Sequence, residues 1–226
     1  MEITELKILA RFVSPFKSKF GIPKQSGIVD SLVGDIVLEA EFRNPDYLRG
    51  IEGYDYLWLL WGFSGNRHAA HSPVVRPPVL GGNTRVGVLA TRSPFRPNPI
   101  GLSSVRLEGV DWDDARGPVL HVSGADLMDG TPIYDIKPYL PYTDSHPDAR
   151  SGFTTTPQAT LEVVIDDALA ATLSPQQLAT LRDVLAHDPR PSYQNDPEKV
   201  YGMPFDNLDV RFKVDGSTLT VVEIAR

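Results

Sequence analysis

A chain of 226 residues with 41% hydrophobic and 23% charged residues can bury a sizeable core and has the make-up of an ordinary globular protein. Its net charge of −7 opposes indiscriminate nucleic-acid binding, and the lack of cysteine excludes a disulfide framework and any thiolate metal site. The start, Met1-Glu2-Ile3-Thr4-Glu5, carries no basic flank or apolar signal core, and the most apolar run, residues 54–63, is far too short for a membrane span. A cytoplasmic location is the expectation.

Taken in chain order, residues 2–12 and 35–42 read as strands, the second from the alternation of Ile36, Leu38, Ala40 and Phe42. Between them, residues 14–23 form a long polar connection with aromatic interruptions, either a solvated loop or a functional one. Residues 45–49 form a helical turn closed by Gly50. Residues 54–63 are apolar on both alternating sets, which predicts a central strand covered on both faces. Residues 85–91 form a strand that leads into a Pro-rich loop, and residues 103–110 continue as a strand beyond it. A further strand covers 118–125, and 126–135 reads as a turn feeding a short edge segment.

Composition shifts over 143–157, rich in Ser, Thr, Asp, Gly and Pro, which suggests a linker. After a strand at 159–166, Ser174-Pro175-Gln176-Gln177 opens a helix with a capping box that ends near His187, before Pro189. Strands at 208–214 and 218–225 are joined by the hairpin signal Asp215-Gly216. Many short strands with one late helix predict a mainly β protein: a β-barrel or curved sheet over residues 1–150, followed by a small α+β module over 151–226.

The Pro-rich loop is the candidate site. Pro94, Pro97 and Pro99 stiffen it and remove backbone donors, while Arg92 and Arg96 offer planar forks for carboxylate or phosphate oxygens. Asn98 can both donate and accept. A plain surface turn would have similar composition. Charge is uneven along the chain: between Arg43 and Arg106 stand eight arginines and three acids, and the sign reverses beyond. That permits a local face for an anionic ligand. The neighbours His68 and His71 lie in a polar loop without further ligand types, so no metal is expected. No dinucleotide fingerprint, phosphate-binding P-loop or nucleophile elbow is present.

Seven segments together resemble the TsaA-like (TrmO, also YaeB) family of S-adenosylmethionine-dependent tRNA methyltransferases. They are Pro23-Lys24-Gln25-Ser26-Gly27, Val75-Arg76-Pro77-Pro78, Leu80-Gly81-Gly82-Asn83, the Pro-rich loop, Asp129-Gly130-Thr131-Pro132, Asp135-Ile136-Lys137-Pro138-Tyr139-Leu140-Pro141 and Asp188-Pro189-Arg190-Pro191. The resemblance implies a β-barrel catalytic domain, a smaller C-terminal domain and a homodimer. It also implies N6-methylation of the threonylcarbamoyl adenosine next to the tRNA anticodon. On the family's motifs, Pro23, Lys24, Gln25, Ser64, Gly65, Arg92, Asp129, Gly130, Thr131, Pro132 and Ile133 would contact S-adenosylmethionine. Asn98 and Asp135 would be catalytic, the latter as a proton acceptor; Arg76, Arg96, Lys137, Arg190 and Tyr193 would meet the tRNA. Where bacterial relatives often carry His-Gln after the apolar strand, this chain has Ser64-Gly65. A non-catalytic RNA- or nucleotide-binding module, or a methyltransferase of another substrate, would use the same arginines.

Overall fold

A computed structural model describes residues 5–66, 72–154, 160–190, 194 and 196–226. Among these residues twelve strands carry the fold: β1 (Ala10–Val13), β2 (Val33–Leu38), β3 (Tyr56–Gly62), β4 (Val74–Val75), β5 (Val86–Gly87), β6 (Ile100–Asp111), β7 (Val119–Ser123), β8 (Pro132–Pro138), β9 (Glu162–Val164), β10 (Tyr201–Phe205), β11 (Leu208–Asp215) and β12 (Thr218–Ala225). Six of them close into an antiparallel ring in the order β1-β2-β7-β6-β3-β8, with β8 returning to pair with β1. Alternation decides what fills it. Phe12, Ile36, Leu38, Leu57, Leu59, Val105, Leu120, Val122 and Ile133 point inward and are almost wholly buried.

Two expectations change here. The segment after 126 is no edge: β8 pairs with β3 on one side and β1 on the other, so its prolines stand at the two ends of the strand. A register shift between Leu60 and Trp61 absorbs Tyr134 as a bulge, which helps so narrow a ring to curve. β3 is central, but only one of its faces is sealed. Leu57 and Leu59 are fully buried inside, whereas Tyr56 is 45% exposed on the other face and Trp58 and Leu60 are half-buried. On the outer face Tyr56 and Trp58 pack against the Tyr139 ring, and Trp58 donates to the Asp144 carboxylate, so a short local cover stands where a second layer was expected.

Gly101 serves the ring's inner packing. A Cβ there would run into the Trp61 indole, so its absence lets that ring lie across β6. The predicted strand at 85–91 is mostly a 3₁₀ turn, Val88–Ala90, after the two-residue β5, and residues 40–42 likewise turn instead of extending β2.

A second sheet has the order β10-β11-β12-β9, with β9 parallel to β12. The helix Pro175–Ala186 packs on it through Leu181, Val184 and Leu185. Its capping box is as expected, with Ser174 and Gln177 exchanging side-chain and backbone bonds. The last hairpin also forms, though its two-residue loop is Gly216-Ser217, with Asp215 still paired to Thr218. β10 alternates the buried Tyr201, Met203 and Phe205 with the exposed Gly202 and Pro204, and it pairs with β11.

The long connection between β1 and β2 is not a solvated loop. Phe16, Val29 and Leu32 sink into the core of the second sheet, each at most 2% exposed. Backbone bonds tie the same segment to both parts: Asp129 N–H donates to the Phe16 carbonyl at 2.8 Å, and Asp206 N–H donates to the Pro15 carbonyl at 2.7 Å. Gly21 at φ +95° lies against Met203, where a Cβ would stand 2.5 Å from the sulfur. This strap carries residues 19–25 to the end of the ring.

Candidate functional site

Four segments meet around a cleft of about 840 Å³. The strap contributes Lys19, Pro23, Lys24 and Gln25; the exit of β3 contributes Trp61, Phe63, Ser64 and Gly65. The Pro-rich loop adds Arg92, Arg96 and Asn98, and the end of β7 adds Asp126 and, further on, Thr131. Leu89, Ile100 and Leu102 give it an apolar side. The volume suits a drug-sized ligand.

The loop holds its shape through short polar bonds. Thr91 Oγ1 accepts from Ser93 N–H at 3.2 Å, Ser93 Oγ accepts from Phe95 N–H at 3.3 Å, and Phe63 N–H donates to the Pro99 carbonyl at 3.0 Å. Arg96 donates to the Thr91 carbonyl at 3.1 Å and so braces the loop while lining the cleft. Arg92 reaches across and donates to the Gln25 side-chain oxygen. The Asn98 amide is exposed at the cleft wall.

Opposite Arg92 lies a buried chain of polar groups. Trp61 Nε1 donates to Ser103 Oγ at 2.9 Å, and Ser103 donates to the Asp126 carboxylate at 2.5 Å. Burial raises the Asp126 pKa above its ordinary value; hydrogen bonds from Ser103 and backbone amides, with the charge of Arg92, offset part of that. Asp126 escaped sequence reasoning because it follows directly on β7 and reads as the first acid of a turn. Its signal was an acid set directly after Val122-Ser123-Gly124-Ala125, a run whose small and apolar residues are all buried.

Other expected residues lie elsewhere. The Asp129 carboxylate accepts from Ser14 N–H at 3.1 Å, and Gly130 N–H donates to the Phe12 carbonyl at 2.8 Å, so this turn is stitched to β1. Pro132 pairs with Arg11, and Ile133 is fully buried inside the ring. Asp135 and Lys137 pair with each other at 2.8 Å on the ring's outer face and line no part of the cleft. Arg190 is 8% exposed and bonds Asp188 in a two-pronged pair, Nε–Oδ1 at 2.9 Å and Nη2–Oδ2 at 3.0 Å. Its guanidinium also stands 5.8 Å from the Tyr201 ring centre. Tyr193, His68 and His71 lie outside the described residues. No group of three potential metal ligands occurs among the described residues.

Beside the cleft runs a wider groove of about 2270 Å³, sharing Lys24, Gln25 and Arg92 with it and continuing past Arg76 to Arg190.

A closed ring of strands thus carries an arginine-bearing cleft at its end and a groove lined by lysine and arginine beside it, an arrangement chemically able to hold an anionic ligand. The tRNA-methyltransferase O N-terminal domain matches residues 11–145, and the TrmO C-terminal domain matches residues 158–226. The chain is 42% identical over 211 residues to the tRNA (adenine(37)-N6)-methyltransferase of Escherichia coli (strain K12), covering 89% of each protein. It is 46% identical over 163 residues to the Eikenella corrodens enzyme of the same name, covering 72% of this chain and 92% of that one. The crystal structure of TrmO from Pseudomonas aeruginosa superposes with a TM-score of 0.78 at 30% identity, covering 100% of both chains. The chain belongs to the tRNA-methyltransferase O family.

Proposed function

We propose that this protein is an S-adenosylmethionine-dependent tRNA methyltransferase acting on N6 of adenosine 37, in its threonylcarbamoyl form. The observation that carries the reading is the facing pair in the cleft, Arg92 and Asp126, in a chain whose relatives bear that activity in their names. A free amino-acid moiety needs one partner for its carboxylate and one for its ammonium. Arg92 suits the first and Asp126 the second. Ile22, Leu89 and Leu102 offer the apolar slot an adenine ring requires, and the backbone at Ser64-Gly65 borders it.

When bound, S-adenosylmethionine would supply the methyl group and leave as a neutral thioether, and the N6 proton of the substrate would pass to water. The protein's own share is largely alignment, since the urea nitrogen is a weak nucleophile and gains most from being held in line. Asn98 orients the urea from the loop wall, and the stiff prolines keep it from collapsing onto Arg92. Asp135 is tied to Lys137 outside the cleft, so we assign it no proton transfer.

The six-strand ring is read as a β-barrel catalytic domain over residues 1–150, with 151–226 as a small α+β domain. Leu89 at 77% and Leu102 at 55% exposure flank the cleft, and a second copy of the chain is their proposed cover, making a cytoplasmic homodimer. Among the described residues no helix is long and apolar enough to cross a membrane.

The test is mass analysis of nucleosides from tRNA lacking this methyl group, incubated with the protein and S-adenosylmethionine. A single added methyl on threonylcarbamoyl adenosine is expected. Transfer to a different nucleoside, or none, would overturn the assignment.

A further inference from the structure

Ten of the fourteen described arginines have a partner within the chain. Arg11, Arg49, Arg106, Arg116, Arg190 and Arg211 pair with carboxylates, while Arg43, Arg92, Arg96 and Arg182 donate to oxygens of the chain. Apart from Arg226 at the C-terminus, the described arginines with neither kind of partner are Arg76, Arg85 and Arg150. All three are exposed, and all three line the wide groove. Arg76 and Arg85 stand at the two ends of the connection between β4 and β5, and Arg150 comes from the segment before β9. Among the described residues, the groove's one acidic lining residue, Asp188, is already paired with Arg190.

Three exposed guanidinium groups without an internal partner thus line one groove. Such an arrangement suits a partner that brings its own negative charge. The groove is far larger than a small-molecule site and opens into the cleft along Pro23, Lys24, Gln25 and Arg92. Phe95, 45% exposed, stands on its wall as a surface on which a base can stack. A polyanion with a regular charge spacing and flat bases fits these features better than an acidic peptide.

We propose that Arg76, Arg85 and Arg150 form the phosphate-binding rail of an RNA groove that feeds one nucleotide into the cleft. This rests on the reading of the protein as a tRNA methyltransferase, and it adds Arg85 and Arg150 to the contacts expected from sequence. It also moves Arg190 from an RNA contact to the brace of the groove's far wall.

Fluorescence anisotropy of labelled tRNA over a salt series tests the rail, with Arg76→Ala, Arg85→Ala, Arg150→Ala, the triple variant and Arg211→Ala as a distant control. Each rail variant should lose roughly fivefold in affinity and flatten the log–log salt slope by about 0.7–0.9. The triple variant should flatten it by about two, and Arg211→Ala should leave it unchanged. Calorimetric affinity for S-adenosylmethionine should be the same in all of them. A triple variant that binds tRNA with the wild-type affinity and slope overturns the rail alone and returns the groove to another anionic partner, such as an acidic protein. A wild-type chain that binds S-adenosylmethionine but no tRNA overturns both the rail and the reading beneath it.

Discussion

Arg92 and Gln25, separated by 67 residues in sequence, are joined by a hydrogen bond that closes the strap over the cleft. The guanidinium thereby stays extended toward the place where a carboxylate would sit. Replacing Arg92 by alanine should weaken S-adenosylmethionine binding by about 2–3 kcal/mol, the range for a charge-assisted bond. Gln25→Ala should cost about 1 kcal/mol, because it loosens Arg92 without deleting it. Titration calorimetry gives both values; equal losses would contradict this order.

Asp126 makes opposite demands on fold and ligand. Its folded pKa lies above the ordinary value of 3.8, so the folded state holds the proton more tightly than the unfolded chain does. That contribution to stability is full below the unfolded pKa and is lost as pH rises through the folded one. Asp126→Asn should therefore gain in Tm over wild type on the neutral side and lose that advantage in acid. S-adenosylmethionine binding should run the other way, failing in the wild type as acid protonates Asp126. Melting and calorimetry across pH test the two signs separately.

Gly101→Ala places a methyl group where the Trp61 ring lies. We expect a loss of about 1–3 kcal/mol from overpacking. The Trp61 bond to Ser103 should break as well, leaving the Ser103–Asp126 pair less ordered. A changed near-ultraviolet dichroism signal together with weaker S-adenosylmethionine binding would mark this outcome.

Arg190→Ala removes one half of an almost buried pair and uncovers Asp188, whose side chain is only 30% exposed. A stability loss of about 2–3 kcal/mol is expected by denaturant unfolding. Lysine should rescue little, since it cannot reproduce the two-pronged geometry. Affinity for S-adenosylmethionine should be unaffected.

What the sequence made legible follows from how local each signal is. The helix at Pro175–Ala186 and the final hairpin are written in adjacent residues, and both form as expected. Arg92, Arg96 and Asn98 could be picked out because prolines beside them imply a stiff presentation, and all three line the cleft. Asp126 could not, since its burial depends on Ser103 and Trp61 from other strands. The role of β8 was hidden for the same reason: its two partners lie far away in sequence. Phe16 looked like an aromatic interruption in a polar loop, and Val29 and Leu32 carried no periodic signal, because the spacing of these residues matches neither helix nor strand.

The strap also makes the second sheet a thermodynamic partner of the cleft. Cutting the chain after residue 154 would leave Phe16, Val29 and Leu32 facing water, so Pro23, Lys24 and Gln25 would keep the Arg92–Gln25 bond but lose the packing beneath the strap. Ligand affinity therefore carries the folding free energy of the distal β10–β12 sheet within it. Saturating the cleft should raise the melting temperature of both parts together, and the fragment 1–154 should bind S-adenosylmethionine more weakly than the whole chain even where its ring is intact.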